Sequence, residues 1–291
     1  MDVNPQTNPS SESSNAAMPS LASKPIDEED AQKGDSPLSF AWFLVKLVLA
    51  VLILRSFVIA PFSIPSESML PRLWHGDFLI ATKWSYGYSS FSLPFNAPLI
   101  PGRILASEPK RGDVVIFKHP IDHTDYVKRV VGLPGDTITM RNGQIVLNGA
   151  AVSKEKIGDF VFEVTPNAPC RESGTERATD GRYPSCSYKR FRERLPSGVT
   201  YDVLDFGLGP GDFTPLTIVP DGHVFVLGDN RDFSRDSRFP ALAGDAVGLV
   251  PQANLVGRVS VIFWSTDGNA EWLKPWTWFS SARWDRIGTT L

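Results

Sequence analysis

Apolar and polar positions fall into two regimes along this chain. Residues 40–60, FAWFLVKLVLAVLILRSFVIA, form a nearly unbroken apolar run in which only Lys46, Arg55 and Ser56 are polar. At about 1.5 Å per residue a helix over this run is about 31 Å long, enough to cross a hydrocarbon core. Lys46 and Arg55 lie about a turn and a half from its ends, where long side chains snorkel to the interface. They are half a turn out of phase, so they do not build the polar face of a surface helix. The pattern predicts a membrane anchor over 38–60. Val58-Ile59-Ala60 has the small-residue look of a cleavage site, but Pro61 follows directly and opposes an extended cut, so the anchor is expected to stay uncleaved. The charges Lys24, Lys33 and Lys46 on one side and Arg55, Arg72 and Lys83 on the other do not fix its orientation.

Beyond the anchor the period drops to two. FLIATK at 78–83, DVVIFK at 113–118, DYVKRVV at 125–131, HVFVLG at 223–228 and GRVSVIF at 257–263 are short and β-branched, which predicts strands. Asn142-Gly143 lies between TITM and QIVL, and Asn148-Gly149 follows, both tight-turn signals. The fold class expected is therefore mostly β: one N-terminal transmembrane helix, then a β-sheet-rich domain over 61–291. Within it, residues 151–220 read as a loop-rich insertion. Residues 1–37, rich in Ser, Pro, Asn and acidic groups, have no apolar periodicity and read as a disordered leader. The tail EWLKPWTWFSSARWDR sets Trp272, Trp276, Trp278, Phe279 and Trp284 close together, either as a membrane-interface belt or as packing on the β core.

Composition narrows the picture. The 23 Gly and 24 Pro suit a turn-rich protein rather than a helical bundle. A net charge of −3, with no basic tract, gives no ground for a nucleic-acid partner. The two cysteines, Cys170 and Cys186, bound a polar stretch. They are either free thiols or a disulfide, and a CxxC or Cys/His zinc cluster is absent from the sequence. No metal site is expected: His119 and His123 have Pro120 between them, and GDNRDFSRDSR lacks the spacing and final Glu of a calcium loop and carries three arginines.

Taken alone, Ser66-Glu67-Ser68 after Ile64-Pro65 reads as a turn or helix cap, and Lys128 as an ordinary strand lysine. GxSxG and HExxH are both missing. Five segments in order change that reading: IPSESMLPRL with Ser68, GDFLIATKWSYG from Gly76, RGDVVIFKHP from Arg111, DYVKRVVGLPGD with Lys128, and GDNRDFSRDSR from Gly228. Behind a membrane anchor, this order and wording resemble the type I signal peptidase (bacterial leader peptidase) family over most of residues 40–291. The tail and YGYSSFSLPF resemble its alphaproteobacterial members.

The resemblance implies a membrane-bound serine endopeptidase that cleaves signal peptides from exported preproteins, with no cofactor. By family pattern Ser68 is the nucleophile and Lys128 the general base, which requires a neutral lysine and hence a pKa well below its ordinary value. Ser66 and the Ser68 N–H would hold the oxyanion, and Ser234 would orient the lysine amine. Phe62, Ile64 and Val127 would line shallow pockets for small side chains. Asp229 with Arg129, and Asp236 with Arg238, would support the structure. Phe233 departs from the pattern, standing where many members carry Asn; Glu67 departs where some carry Gly, and is expected to face solvent or substrate. The resemblance further implies a single pass through the bacterial inner membrane, a cytoplasmic leader, contact with lipid, and a periplasmic domain in which a Cys170–Cys186 disulfide is favoured. The alternative is an inactive, membrane-tethered β domain that binds exported chains. A repressor-like Ser/Lys self-cleaving protease fits less well, because no DNA-binding N-terminal domain is present in the sequence.

Overall fold

The structure, a computed structural model, describes residues 37–171, 174–177, 184–271 and 273–291. The expected leader, apart from Pro37, and Trp272 lie outside the described residues. The chain divides into two compact units, residues 1–47 and 48–291.

Helix α1 covers Pro37–Ile53 and leaves none of its residues buried. Proline opens it, where its fixed φ and missing N–H cost nothing. A π-type turn, Leu54–Val58, continues it, and Pro37–Val58 is long and apolar enough to cross a membrane. The anchor expected to run to Ala60 thus ends two residues earlier. Ala60 precedes Pro61, and the proline ring disfavours the α conformation in the residue before it.

Ile59 and Ala60 instead begin the main sheet. Its strands are β1 (Ile59–Ser63), β2 (Asp77–Thr82), β3 (Val114–Lys118), β4 (Asp125–Gly132), β5 (His223–Leu227), β6 (Val250–Pro251) and β7 (Leu255–Ser265). They run antiparallel in the order β1-β2-β7-β3-β4-β5-β6. The five β-branched segments of the sequence account for β2, β3, β4, β5 and β7. Pro61 is tolerated because β1 is an edge strand.

A second sheet brings together residues 137–141, 144–147, 150–151 and 217–218. Asn142-Gly143 and Asn148-Gly149 close its hairpins with all four residues at positive φ, the conformation such two-residue turns require. The stretch 151–220 pairs more backbone than its composition suggests. It forms two further three-stranded sheets, 153–156/190–194/200–204 and 160–163/185–188/175–177. These strands are three to five residues long, and one inward position is a charged residue, Glu193, so no clean alternation marks them. Cys170 and Cys186 are joined by a disulfide with Cα atoms 5.5 Å apart.

One apolar cluster positions the nucleophile-bearing segment. Met69 and Leu73, both fully buried, pack with Ile64, Leu79, Ile116 and Val127 from β2, β3, β4 and the segment after β1. Burying two such side chains is worth about 1.5–3 kcal/mol each, which ties residues 64–73 to the sheet. At the C-terminal end, the short helix α2 (Trp276–Ser280) leaves Trp276 and Phe279 exposed, with Trp284 exposed beside them. Of these rings, Trp284 packs edge-on against Trp264 of β7, with ring centres 5.9 Å apart.

Candidate active site

β4 is covered on both faces, and its residues from Val127 onward are buried. Successive side chains on a strand point to opposite faces, so Lys128 and Arg129 are both removed from water, in opposite directions. Lys128 pairs in register with Val115 of β3. Its Nζ donates to Ser68 Oγ at 2.6 Å. Ser68 is 6% and Lys128 3% exposed, so the pair lies out of bulk water. Burial pushes the lysine pKa down to about 8; Asp236 and Asp229 oppose the shift and Arg238 adds to it.

Ser66 Oγ lies 3.3 Å from Ser68 Oγ. The Ser68 carbonyl accepts from Asn230 N–H at 3.0 Å, and Asn230 Nδ2 donates to the Glu67 carbonyl at 3.1 Å. The loop after β5 therefore grips the two peptide units that flank the Ser68 Cα, one of which carries the Ser68 N–H. Asn230 was not foreseen, because it acts on backbone carbonyls more than 160 positions away in the chain.

Gly228 opens that loop. A Cβ there would lie 2.3 Å from Ser234 Oγ and 2.5 Å from the Ser68 carbonyl, so only glycine lets the loop close on the serine segment. Ser234 is buried within this contact. Its Oγ makes no hydrogen bond, and the expected link to the lysine amine is not formed. The hydroxyl packs against Gly228 instead.

Both expected ion pairs are present as contacts. Arg129 Nε and Nη2 donate to Asp229 at 2.8 and 2.6 Å, and its guanidinium stacks 4.2 Å from the Tyr201 ring centre. Arg238 Nε and Nη2 donate to Asp236 at 2.8 and 3.0 Å, and Gly228 N–H donates to the same carboxylate at 3.0 Å. Burial would raise the Asp236 pKa, but Arg238 outweighs it and holds the carboxyl below its usual range. A third buried pair was missed by the sequence: Arg231 donates to Glu193 at 2.6 and 2.5 Å, with the Tyr201 hydroxyl on the same carboxylate at 2.8 Å. Its partners come from a strand of the 151–220 stretch and the loop after β5, 38 residues apart.

Glu67 corrects an expectation. It faces neither open solvent nor a free cleft; Arg171 clamps it with bonds of 3.0 and 3.1 Å. Arg171 directly follows the disulfide-bonded Cys170, and its N–H donates to the Tyr188 hydroxyl at 2.8 Å.

A cavity of about 410 Å³ opens over Ser68 and Lys128. Phe62, Ile64 and Val127 line it, as does Phe233, 40% exposed and edge-on to Phe206 at 5.6 Å. β1 and β4 are not neighbours in the sheet, so its curl brings their ends to one cavity. The histidines are engaged elsewhere, His119 with the Ala246 carbonyl and His223 with the Asp221 carbonyl. A buried serine hydroxyl bonded to a lysine that loses its proton near pH 8 is an arrangement able to carry out acyl transfer.

A family model described as signal peptidase, peptidase S26, matches residues 38–264. The signal peptidase I of Rickettsia typhi is 35% identical over 275 residues, 87% of this chain and 92% of that one. The signal peptidase I of Rickettsia akari is 34% identical over 276 residues, 86% and 91% of the two chains. A solved signal peptidase I from Enterococcus faecalis V583 matches 52% of this chain and 97% of its own at 24% identity, with a TM-score of 0.27 that bears no weight on the fold.

Proposed function

The chain belongs to the signal peptidase S26 family, and from that premise we propose that it removes signal peptides from exported preproteins by a Ser68/Lys128 mechanism. The observation that carries the proposal is the 2.6 Å contact between Ser68 Oγ and a buried Lys128 whose pKa is lowered to about 8.

Neutral Lys128 accepts the Ser68 proton as Oγ attacks the scissile carbonyl carbon. The tetrahedral oxyanion is held by the Ser68 N–H and the Ser66 hydroxyl, fixed donors in a site with little water. The protonated lysine then gives its proton to the departing amine, leaving an ester on Ser68. Water, deprotonated by Lys128, hydrolyses that ester and restores the serine. Ser234 shapes the loop beside the dyad, and the Arg129–Asp229 and Arg238–Asp236 pairs fix the walls behind it. Phe62, Ile64 and Val127 make a shallow apolar cavity that admits small side chains, and Phe233 narrows its mouth. The substrate binds extended, adding a strand beside an exposed backbone edge.

Residues 61–291 act as the catalytic domain, with 151–220 as its cap, tethered by a single membrane pass through Pro37–Val58. Ser68 is ten positions on from Val58, so the nucleophile lies within about 35 Å of the membrane exit. The exposed Trp276, Phe279 and Trp284 suit a domain resting at a lipid interface. The disulfide suits an oxidising compartment, which favours the extracytoplasmic face of the bacterial inner membrane and leaves residues 1–37 in the cytoplasm.

The test is cleavage of a purified preprotein with an Ala-x-Ala site by the detergent-solubilised full chain, compared with Ser68→Ala and Lys128→Ala. Cutting after the second Ala by wild type, with both variants slower by several orders of magnitude, is expected. Folded variants that still cut would overturn the dyad, and an inert but folded wild type would favour a binding domain.

A further inference from the structure

A second cavity, larger than the one over Ser68, opens elsewhere on the same domain. A cleft of about 1,100 Å³ opens on the other side of β4, where Arg129 rather than Lys128 points. Its volume is at or above the upper end of the roughly 300–1,000 Å³ typical of small-molecule sites. Its lining is strongly cationic, with six arginines and Lys110 against three carboxylates, Glu108, Asp113 and Asp202.

Four of these arginines have carboxylate partners. Arg111 forms a two-pronged pair with Asp136, Arg129 does so with Asp229, and Arg190 and Arg192 share Asp202. Even with Asp136 and Asp229 included, seven cations face five carboxylates. Three other side chains have the weakest pairing. Arg258 reaches Asp113 only at 3.8 Å. Arg72 donates to the Thr290 carbonyl and forms no ion pair. Lys110 has no side-chain partner among the described residues. The Arg72 guanidinium is also held below its ordinary pKa, by burial first and then by the charges of Arg129 and Arg286, with Asp229 and Asp202 opposing. The cleft thus carries unneutralised positive charge that a bound anion would relieve. The guanidinium groups lining the cleft offer paired N–H donors, the geometry that fits phosphate oxygens.

We propose that this cleft binds a phosphate-bearing ligand, held by Arg72, Lys110 and Arg258. The phosphate is carried by either a lipid headgroup or a soluble phosphate compound. Its site lies behind the dyad strand and does not depend on the cleavage mechanism.

The probe is inorganic pyrophosphate, added to the detergent-solubilised full chain at 10 mM, with sodium chloride at matched ionic strength as control. Pyrophosphate should raise the melting midpoint by at least about 3 °C over the control, since a ligand that binds only the folded state stabilises it. The triple variant Arg72→Gln, Lys110→Gln, Arg258→Gln should lose that shift while keeping its far-ultraviolet circular dichroism. If the triple variant misfolds, Arg258→Gln alone, which removes only the 3.8 Å contact, should at least halve the shift. No shift in wild type, or the same shift in the variants, overturns the proposal. A shift with an acidic peptide and none with pyrophosphate overturns it equally. The two sources are separated in nanodiscs. If phosphatidylglycerol discs abolish the pyrophosphate shift and phosphatidylcholine discs do not, the lipid headgroup occupies the cleft. If the shift persists in both, the ligand is soluble.

Discussion

If Lys128 is the general base, the pH dependence of kcat/KM reports its proton loss. With a pKa of about 8, close to one-eleventh of the enzyme carries neutral lysine at pH 7 and about nine-tenths at pH 9. Activity should therefore rise about tenfold between these pH values and then level. An ordinary lysine near 10.5 would give a rise of nearly a hundredfold over the same interval with no plateau. The assay is initial-rate cleavage of a preprotein at substrate well below KM, in one detergent, from pH 6 to 10. A flat profile across pH 7 to 9 would refute Lys128 as base, and a limb still climbing at pH 10 would refute its lowered pKa.

The same shift fixes a stability effect whose sign can be worked out. Lys128 holds its proton less well folded, near 8, than unfolded, near 10.5. Protonation is thus penalised in the folded state. The penalty is complete below about pH 8, shrinks as pH rises from 8 to 10.5, and vanishes above. By linkage it amounts to about 3 kcal/mol at pH 7. Lys128→Met removes the penalty and also the bond to Ser68, worth about 1 kcal/mol. The variant should be inactive yet about 2 kcal/mol more stable at pH 7, with no gain at pH 11. Denaturant unfolding of the solubilised chain at the two pH values measures this, and a variant less stable at pH 7 would contradict the buried-lysine account.

Three further outcomes are expected. Replacing Cys170 and Cys186 together by Ser releases a 16-residue crosslink and should cost about 3 kcal/mol, read as a lower denaturation midpoint that reductant no longer changes. Glu193→Gln leaves the Arg231 guanidinium buried without its carboxylate and should cost about 3–5 kcal/mol; a loss under 1 kcal/mol would show that water reaches the pair. Phe233→Asn widens the cavity mouth, so preproteins with a larger residue in place of the first Ala should gain kcat/KM relative to Ala-x-Ala ones, while unchanged discrimination would place Phe233 outside substrate contact.

The sequence makes some layers legible and hides others for physical reasons. Period-two runs such as DVVIFK and DYVKRVV mark strands because each residue's face is set by its neighbours alone. The apolar helix is readable for the same local reason, and it ends at Val58, two residues short of the expected end. Ser68 and Lys128 are 60 positions apart, and no local pattern joins them; only the ordered resemblance of five segments does. That resemblance has limits of its own. It gives Ser234 a bond to the lysine that the structure does not form, and it is silent on Glu67–Arg171, partners 104 residues apart. Ion pairs assembled by tertiary contact leave no period in the chain. Glu193 is the sharper case, since a charged residue at an inward position blurs the alternation of its own strand.

The arrangement of charge around β4 explains why Lys128 is set apart. Three buried arginines lie close to it in the chain or in its supporting loops, and each has a carboxylate of its own: Arg129 with Asp229, Arg231 with Glu193, Arg238 with Asp236. Breaking any of these would leave a buried charge unpaired, at a cost of several kcal/mol. Lys128 is as deeply buried but hydrogen-bonds a serine hydroxyl and lies 5.8 Å from the Tyr126 ring centre, and no carboxylate pairs with it among the described residues. A cation in that position lowers its free energy by giving up its proton. Asp236, the nearest source of compensation, is already committed to Arg238, whose own charge repels the ammonium. The neighbouring pairs therefore withhold from Lys128 the partner that would keep it charged, which is the electrostatic condition a lysine base requires.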